Sequence, residues 1–153
     1  MIMMKFYSSL NRSLALSFLL LIFFCYACKT NQDTLSTFSD TEDYILNGNN
    51  YSQAGDYQNA LLEYTKAIDV NPNDMLAYFS RGAVSHLLEQ YENAISDYSK
   101  AIEIDPTFMM PYHNRSNAYK TLGMYDKADA DIIKVQELTK LLEDSRKIHA
   151  ESK

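Results

Sequence analysis

The sequence predicts an all-α solenoid of three helix–turn–helix units, closed by an extended C-terminal capping helix. Three observations carry that prediction. Sliding the 153-residue chain by 34 places aligns 41–74 with 75–108 at ten identities, and a fixed period of that length marks units that stack. Only 4 glycines and 3 prolines stand against 12 tyrosines and 7 phenylalanines, a balance suited to helices joined by few sharp turns. Two of the prolines, Pro72 and Pro106, are themselves 34 residues apart, each where a helix has to stop.

In chain order, residues 1–27 read as an export leader. Lys5 and Arg12 form a basic start, Leu14 to Ala27 an apolar run, and polar residues begin at Lys29. Spanning a bilayer takes roughly 20 helical residues, so this run is short for a membrane span and fits a signal-peptide core. The tetrad Cys25-Tyr26-Ala27-Cys28 resembles the lipobox of bacterial lipoproteins at Ala27 and Cys28, and departs from it at Cys25 and Tyr26. The resemblance implies that Cys28 is acylated and becomes the mature N-terminus. An ordinary secretory signal and an uncleaved anchor helix are the alternatives. Two or more acyl chains hold a protein stably at a membrane where one does so only marginally. Residues 28–40 follow as a flexible tether, whose polar stretch "KTNQDTLSTFSD" reaches roughly 20 Å.

The remainder holds no cysteine, which excludes a disulfide framework and a cysteine-based zinc site there. The net charge is −6, and the leader's two cations are offset by no acid, so the rest is more acidic still. Nucleic-acid binding is driven by cations displacing counterions, so this charge argues against such a partner.

The first unit, 41–74, opens with Ser39-x-x-Glu42, the pattern of a capping box. A helix is expected over about 42–54, a turn near Gly55-Asp56, and a second helix over about 57–70. The second unit, 75–108, should carry helices over about 75–88 and 91–104. The third, 109–142, keeps Tyr112, Tyr125, Ala128 and Lys134, and shares Met109, Arg115 and Asp131 with the second. Its first helix starts near 109, with Pro111 tolerated in the first turn. No proline stands at 140, so the last helix can run through Leu141 and Leu142 towards Ile148. Residues 143–153 then supply the polar face a terminal unit needs. The alternative use of this tail is a self-association seam through Val135, Leu138 and Leu142.

Small residues recur where helices must approach: Gly48, Gly82 and Ser116 in the first helices, Ala60, Ala94 and Ala128 in the second. Tyr64 and Tyr98, matched by Ile132, are large enough to fill the space between units. These units resemble tetratricopeptide repeats. The first reads Tyr44…Gly48…Tyr51…Ala60…Tyr64…Ala67…Pro72, and the second Tyr78…Gly82…Ala94…Tyr98…Ala101…Pro106. The third is Tyr112…Ser116…Tyr119…Ala128…Ile132…Val135. Departures fall at Asn47 and Arg81, where leucine is usual, at Ser85, where tyrosine is usual, and at Lys140 in place of proline.

The resemblance implies a right-handed superhelix whose first helices line a concave groove for a peptide or partner helix. Carried over position by position, the groove comprises Glu42, Ile45, Asn49 and Ser52, then Leu76, Phe79, Ala83 and His86, then Met110, His113, Asn117 and Lys120. Apolar anchors beside amides suit a peptide held through both side chains and backbone. Family members that grip acidic chaperone tails use Lys, Arg and Asn at places held here by Ile45, Asn49, Ser80, Met110 and Asn114; only Asn49 agrees, and the missing cations argue against that ligand.

No phosphate loop, nucleophile elbow or metal-ligand spacing accompanies His86, His113 and His149, so neither catalysis nor a cofactor is expected. The expected function is therefore a membrane-tethered interaction module, holding a protein or peptide partner as scaffold or adaptor in the cell envelope. The alternative is a structural subunit that assembles with its own copies through the C-terminal helix.

Overall fold

The computed structural model describes residues 40–151, and within them every regular element is a helix. Helix α1 occupies 40–53, α2 Tyr57–Val70, α3 Met75–Leu87, α4 Tyr91–Ile104, α5 Met109–Thr121 and α6 Tyr125–Glu151. The second helices of the first two units run over the expected residues, and the first helices differ from expectation by a residue or two at their ends. The leader, Cys28, the tether as far as 39 and the Ser39 half of the capping box lie outside the described residues; Asp40, expected at the tether's end, is already helical. No helix among the described residues is long and apolar enough to cross a membrane.

Aspartates start two of the helices. The Asp56 carboxylate accepts from the Asn59 N–H at 3.3 Å, and that of Asp74 accepts from the Leu76 and Ala77 N–H groups at 2.9 and 3.0 Å. Each satisfies donors that a helix start leaves bare. Within each unit the two helices are joined by a short turn whose left-handed residue falls at Gly55, Glu89 and Gly123, again 34 apart. Glycine takes that conformation freely; Glu89, at φ 59°, does so against its Cβ.

Consecutive helices pack on one another throughout. Beyond that, α3 approaches α5, whereas the backbones of α2 and α4, and likewise of α4 and α6, nowhere come within 8 Å. The stack therefore curves with the first helices of the units inside and the second helices outside. The core between α1, α2 and α3 is built on Ala60, Tyr64 and Val84, and on Ala67, Ile68 and Ala77, with Tyr44, Ile45 and Tyr78 packed against it.

The glycines show how closely paired helices approach. A Cβ on Gly48 would stand 2.5 Å from the Tyr64 ring, and one on Gly82 would stand 3.0 Å from the Tyr98 ring. Unit three solves the same contact differently: Ser116 replaces the glycine and is fully buried, and the smaller Ile132 replaces the tyrosine. The small residue in the first helix and the ring in the second are thus one coupled choice.

A polar device joins one unit to the next. The Arg81 guanidinium on α3 donates to both carboxylate oxygens of Asp97 on α4 at 2.9 and 2.8 Å, and to the Thr65 hydroxyl on α2 at 3.2 Å. One period on, Arg115 on α5 donates to Asp131 on α6 at 2.8 and 2.7 Å and to the Ser99 hydroxyl on α4 at 2.8 Å. Each hydroxyl gives its own proton to the carbonyl four residues back, Leu61 or Ile95, which leaves its lone pairs for the arginine. The Asp97 hydrogen bonds favour the charged Arg81 and outweigh its burial. At Arg115 burial works against the charge, and the hydrogen bond and attraction of Asp131 overcome it.

Helix α6 runs on without a proline to about 40 Å, and the Thr139 hydroxyl, which donates to the Val135 carbonyl at 2.8 Å, lies 3.6 Å from the Met109 sulfur. From 141 to 150 every residue is exposed.

Gly48→Ala should lower stability by about 1–3 kcal/mol through overpacking, despite a helix-propensity gain of about 1 kcal/mol. Combined with Tyr64→Ile, it should cost clearly less than the sum of the single changes in urea unfolding. Additive costs would mean that ring and glycine are not coupled.

Candidate functional site

The inner face is presented by α1, α3 and α5, whose groove residues recur at helical spacing along one side of each helix. On α3 these are Leu76, Phe79, Ala83 and His86; on α5 they are Met110, His113, Asn117 and Lys120; on α1 they are Ile45, Asn49 and Ser52. The side chains differ in how far they are committed elsewhere.

Leu76 and Met110 stand 46% and 54% exposed, large apolar groups with water for a neighbour. His113, Asn117 and Lys120 are exposed beside Met110, and the Asn117 amide lies 3.5 Å from His113 Nδ1. Ser52 and Ala83 are half-buried. Ile45 and Phe79 are half-turned inward. Ile45 packs against the core of the first junction. The Phe79 ring meets Phe108 edge-on at 5.2 Å and Tyr98 at 6.0 Å, so it packs within its own unit while remaining only half-buried. His86 sets its ring edge-to-face on Tyr91 at 5.3 Å, which ties it to the turn of its own unit. His86 and His113 thus each have a neighbour within their own unit.

Buried phenols connect this face to the layer behind it. Tyr64 donates to Asn49 Oδ1 at 2.7 Å, which leaves the Asn49 amide hydrogens as the groups available to a ligand. Burial pushes the Tyr64 phenol up, and a hydrogen bond with Ser80 pulls it partly back. Burial pushes Tyr98 up to about 12, against the opposing hydrogen bond with Asn114. Both phenols therefore stay neutral at any physiological pH. Ser80 and Asn114, two of the five places compared above with those that grip an acidic tail, hydrogen-bond to these phenols. The arginines nearest the groove, Arg81 and Arg115, are committed to Asp97 and Asp131. What remains free is an apolar surface edged by amides, with Lys120 as its cation.

Among the described residues no group of three His, Cys, Asp or Glu side chains is placed to hold a metal ion. The residues that sequence reasoning missed are the arginine bridges. Their signal was present: a hydroxyl sixteen residues before each arginine and an aspartate sixteen residues after it.

A stack of helix pairs repeating every 34 residues defines the class of an α-helical repeat protein. Tetratricopeptide repeat family models match 48–89, 76–108 and 98–130, together more than half of the chain, which belongs to this family. The comparison with curated protein sequences found no match. Among solved structures, the second tetratricopeptide domain of Spaghetti (RPAP3), bound to the HSP90 peptide SRMEEVD, is 25% identical with a TM-score of 0.63. That likeness covers 65% of this chain and 92% of the other. The TPR2B domain–pHsp70 complex of yeast Sti1 is 28% identical, TM-score 0.66, over 73% and 92% of the two chains. MamA is 27% identical, TM-score 0.68, over 69% of this chain; the match spans 61% of the MamA chain.

Proposed function

We propose that this chain is a non-enzymatic interaction module whose inner face receives a peptide or helix of a partner protein. The observation that carries the reading is the pair of exposed apolar side chains, Leu76 and Met110, on a face that also presents the amide hydrogens of Asn49 and the exposed Asn117. An apolar side chain of a ligand can sit against the first pair, while the amides hold backbone carbonyls. Spaghetti (RPAP3) and Sti1, two relatives in fold, are in complex with chaperone peptides, which supports a peptide as the kind of ligand. The acidic HSP90 tail is a poor fit, because the cations able to balance it are absent from the places that would hold it. The proposed ligand is neutral or basic and carries apolar anchors.

We propose further that residues 1–28 export the protein and that Cys28 carries the lipid that tethers it in the cell envelope, as scaffold or adaptor. Support for this part comes from the leader's charge pattern and the Ala27-Cys28 pair. Cys28→Ala should abolish incorporation of labelled palmitate and move the protein from the membrane to the soluble fraction; undiminished labelling would exclude Cys28 as the attachment point.

The groove is tested by a photo-crosslinking residue placed at 76, at 110, or at 62 on the outer face of α2, where Leu62 is exposed. Positions 76 and 110 should capture the same partner in cells, and 62 should not. Equal capture from 62, or none from 76 and 110, contradicts the reading.

A further inference from the structure

Of the clefts between helices, one on the outer face has a shape that the repeat itself explains. The turn-side position of the first helix holds Tyr51, Ser85 and Tyr119 in successive units. In unit three the Tyr119 ring centroid lies 5.8 Å from the Arg115 guanidinium carbon, and Tyr112 lies 5.7 Å from it, so two rings serve one cation. In unit two Arg81 has Tyr78 at 5.7 Å, and the place of the second ring is held by Ser85. Ser85 is 3% exposed, at the floor of a cleft of about 340 Å³ between α2 and α4. Thr65, Arg81, Gln90, Asn93 and Ser96 line it as well. The Arg81 side chain is correspondingly more open, 25% exposed against 17% for Arg115.

We propose that this cleft is a second binding site, which receives one tyrosine side chain of a partner polypeptide over the Arg81 guanidinium. The geometry of the missing ring is drawn by the chain's own third unit. A guanidinium favours the face of an aromatic ring, and Arg81 is anchored by Asp97, so it is already positioned when the ring arrives. The volume equals roughly ten waters at about 30 Å³ each, room for a phenol ring with some of its water kept. Phenol rather than plain phenyl suits the rim, because Gln90, Asn93 and Ser96 offer hydrogen-bond partners to a hydroxyl. Unit three carries Lys127 where unit two carries Asn93, and the lysine lies 5.5 Å from the Tyr119 ring. The uncharged Asn93 keeps the second-unit rim open to a polar guest. The cleft shares no lining residue with the inner groove, so a partner could occupy both.

The test is an NMR titration of the full chain, with dodecylmaltoside present to cover the apolar leader. The Arg81 and Arg115 Nε–H signals are followed as N-acetyl-L-tyrosinamide, N-acetyl-L-leucinamide or free p-cresol is added. Tyrosinamide should shift Arg81 with a millimolar Kd, at least tenfold tighter than leucinamide. Arg115, already covered by Tyr119, should stay still. Ser85→Tyr should fill the cleft and abolish the response, while Ser85→Ala, which preserves the cleft, should keep it. No Arg81 shift with tyrosinamide overturns the proposal, as does an equal response to leucinamide or a shift of Arg115 alongside. A response to p-cresol with none to tyrosinamide also overturns it, since the site would then take a small phenol and not a polypeptide side chain.

Discussion

An arginine half-buried between three helices sets the terms for this structure. A guanidinium cannot be left uncompensated away from water, and its planar fork accepts a carboxylate in only a narrow range of orientations. Arg81 meets Asp97 through two parallel bonds and reaches Thr65 with a third. The position of α4 against α3, and of α2 against both, is thereby constrained at one point. Arg115 repeats the arrangement with Asp131 and Ser99 one unit later. In a solenoid each unit touches only its neighbours, so every junction has to hold by itself. Unit one, with Asn47 in the arginine's place, has no such bridge of its own.

Apolar packing does the complementary work. Within a unit, a ring of the second helix lies over a glycine of the first, and the pair in unit three shows that ring and small residue change together. These contacts consume the faces of the helices that look at each other. The inner side of α1, α3 and α5 is what the scaffold leaves over, and it can vary from unit to unit without loosening the stack. Leu76 and Met110 sit there with no packing role that would explain their exposure. The arginines nearest that face add no cation to it beyond Lys120, since both are spent on the junctions.

Much of the fold was legible because its punctuation is chemical. Pro72 and Pro106 cannot continue a helix, Gly55 and Gly123 accept a left-handed turn, and the absence of proline at 140 lets α6 run on. The groove was less legible. A periodic pattern places Ile45 and Phe79 on the inner side of their helices, yet it cannot say that Ile45 leans into the core or that Phe79 fills the gap beside Phe108. Those outcomes depend on side chains distant in sequence, Val84 and Ala77 for Ile45, and Tyr98 and Phe108 for Phe79. Arg81 was visible as a departure from a leucine position and Arg115 as its echo in the third unit, but a polar identity between repeats does not announce whether it faces water or a partner. Only the stacking of three helices brings hydroxyl, guanidinium and carboxylate to one point. The Ser85 cleft illustrates the same limit: a tyrosine-to-serine difference in sequence becomes a cavity only when Arg81 lies beneath it.

Native-state hydrogen exchange on Arg81→Met and Arg115→Met tests most directly whether the arginine bridges unite the units. The account predicts that Arg81→Met uncouples α1 and α2, whose amides would open at least about 1 kcal/mol more easily than those of α5, while Arg115→Met loosens α5 and α6 and spares α2. Equal loss of protection along the whole stack in both variants, or protection unchanged from the parent chain, would contradict it.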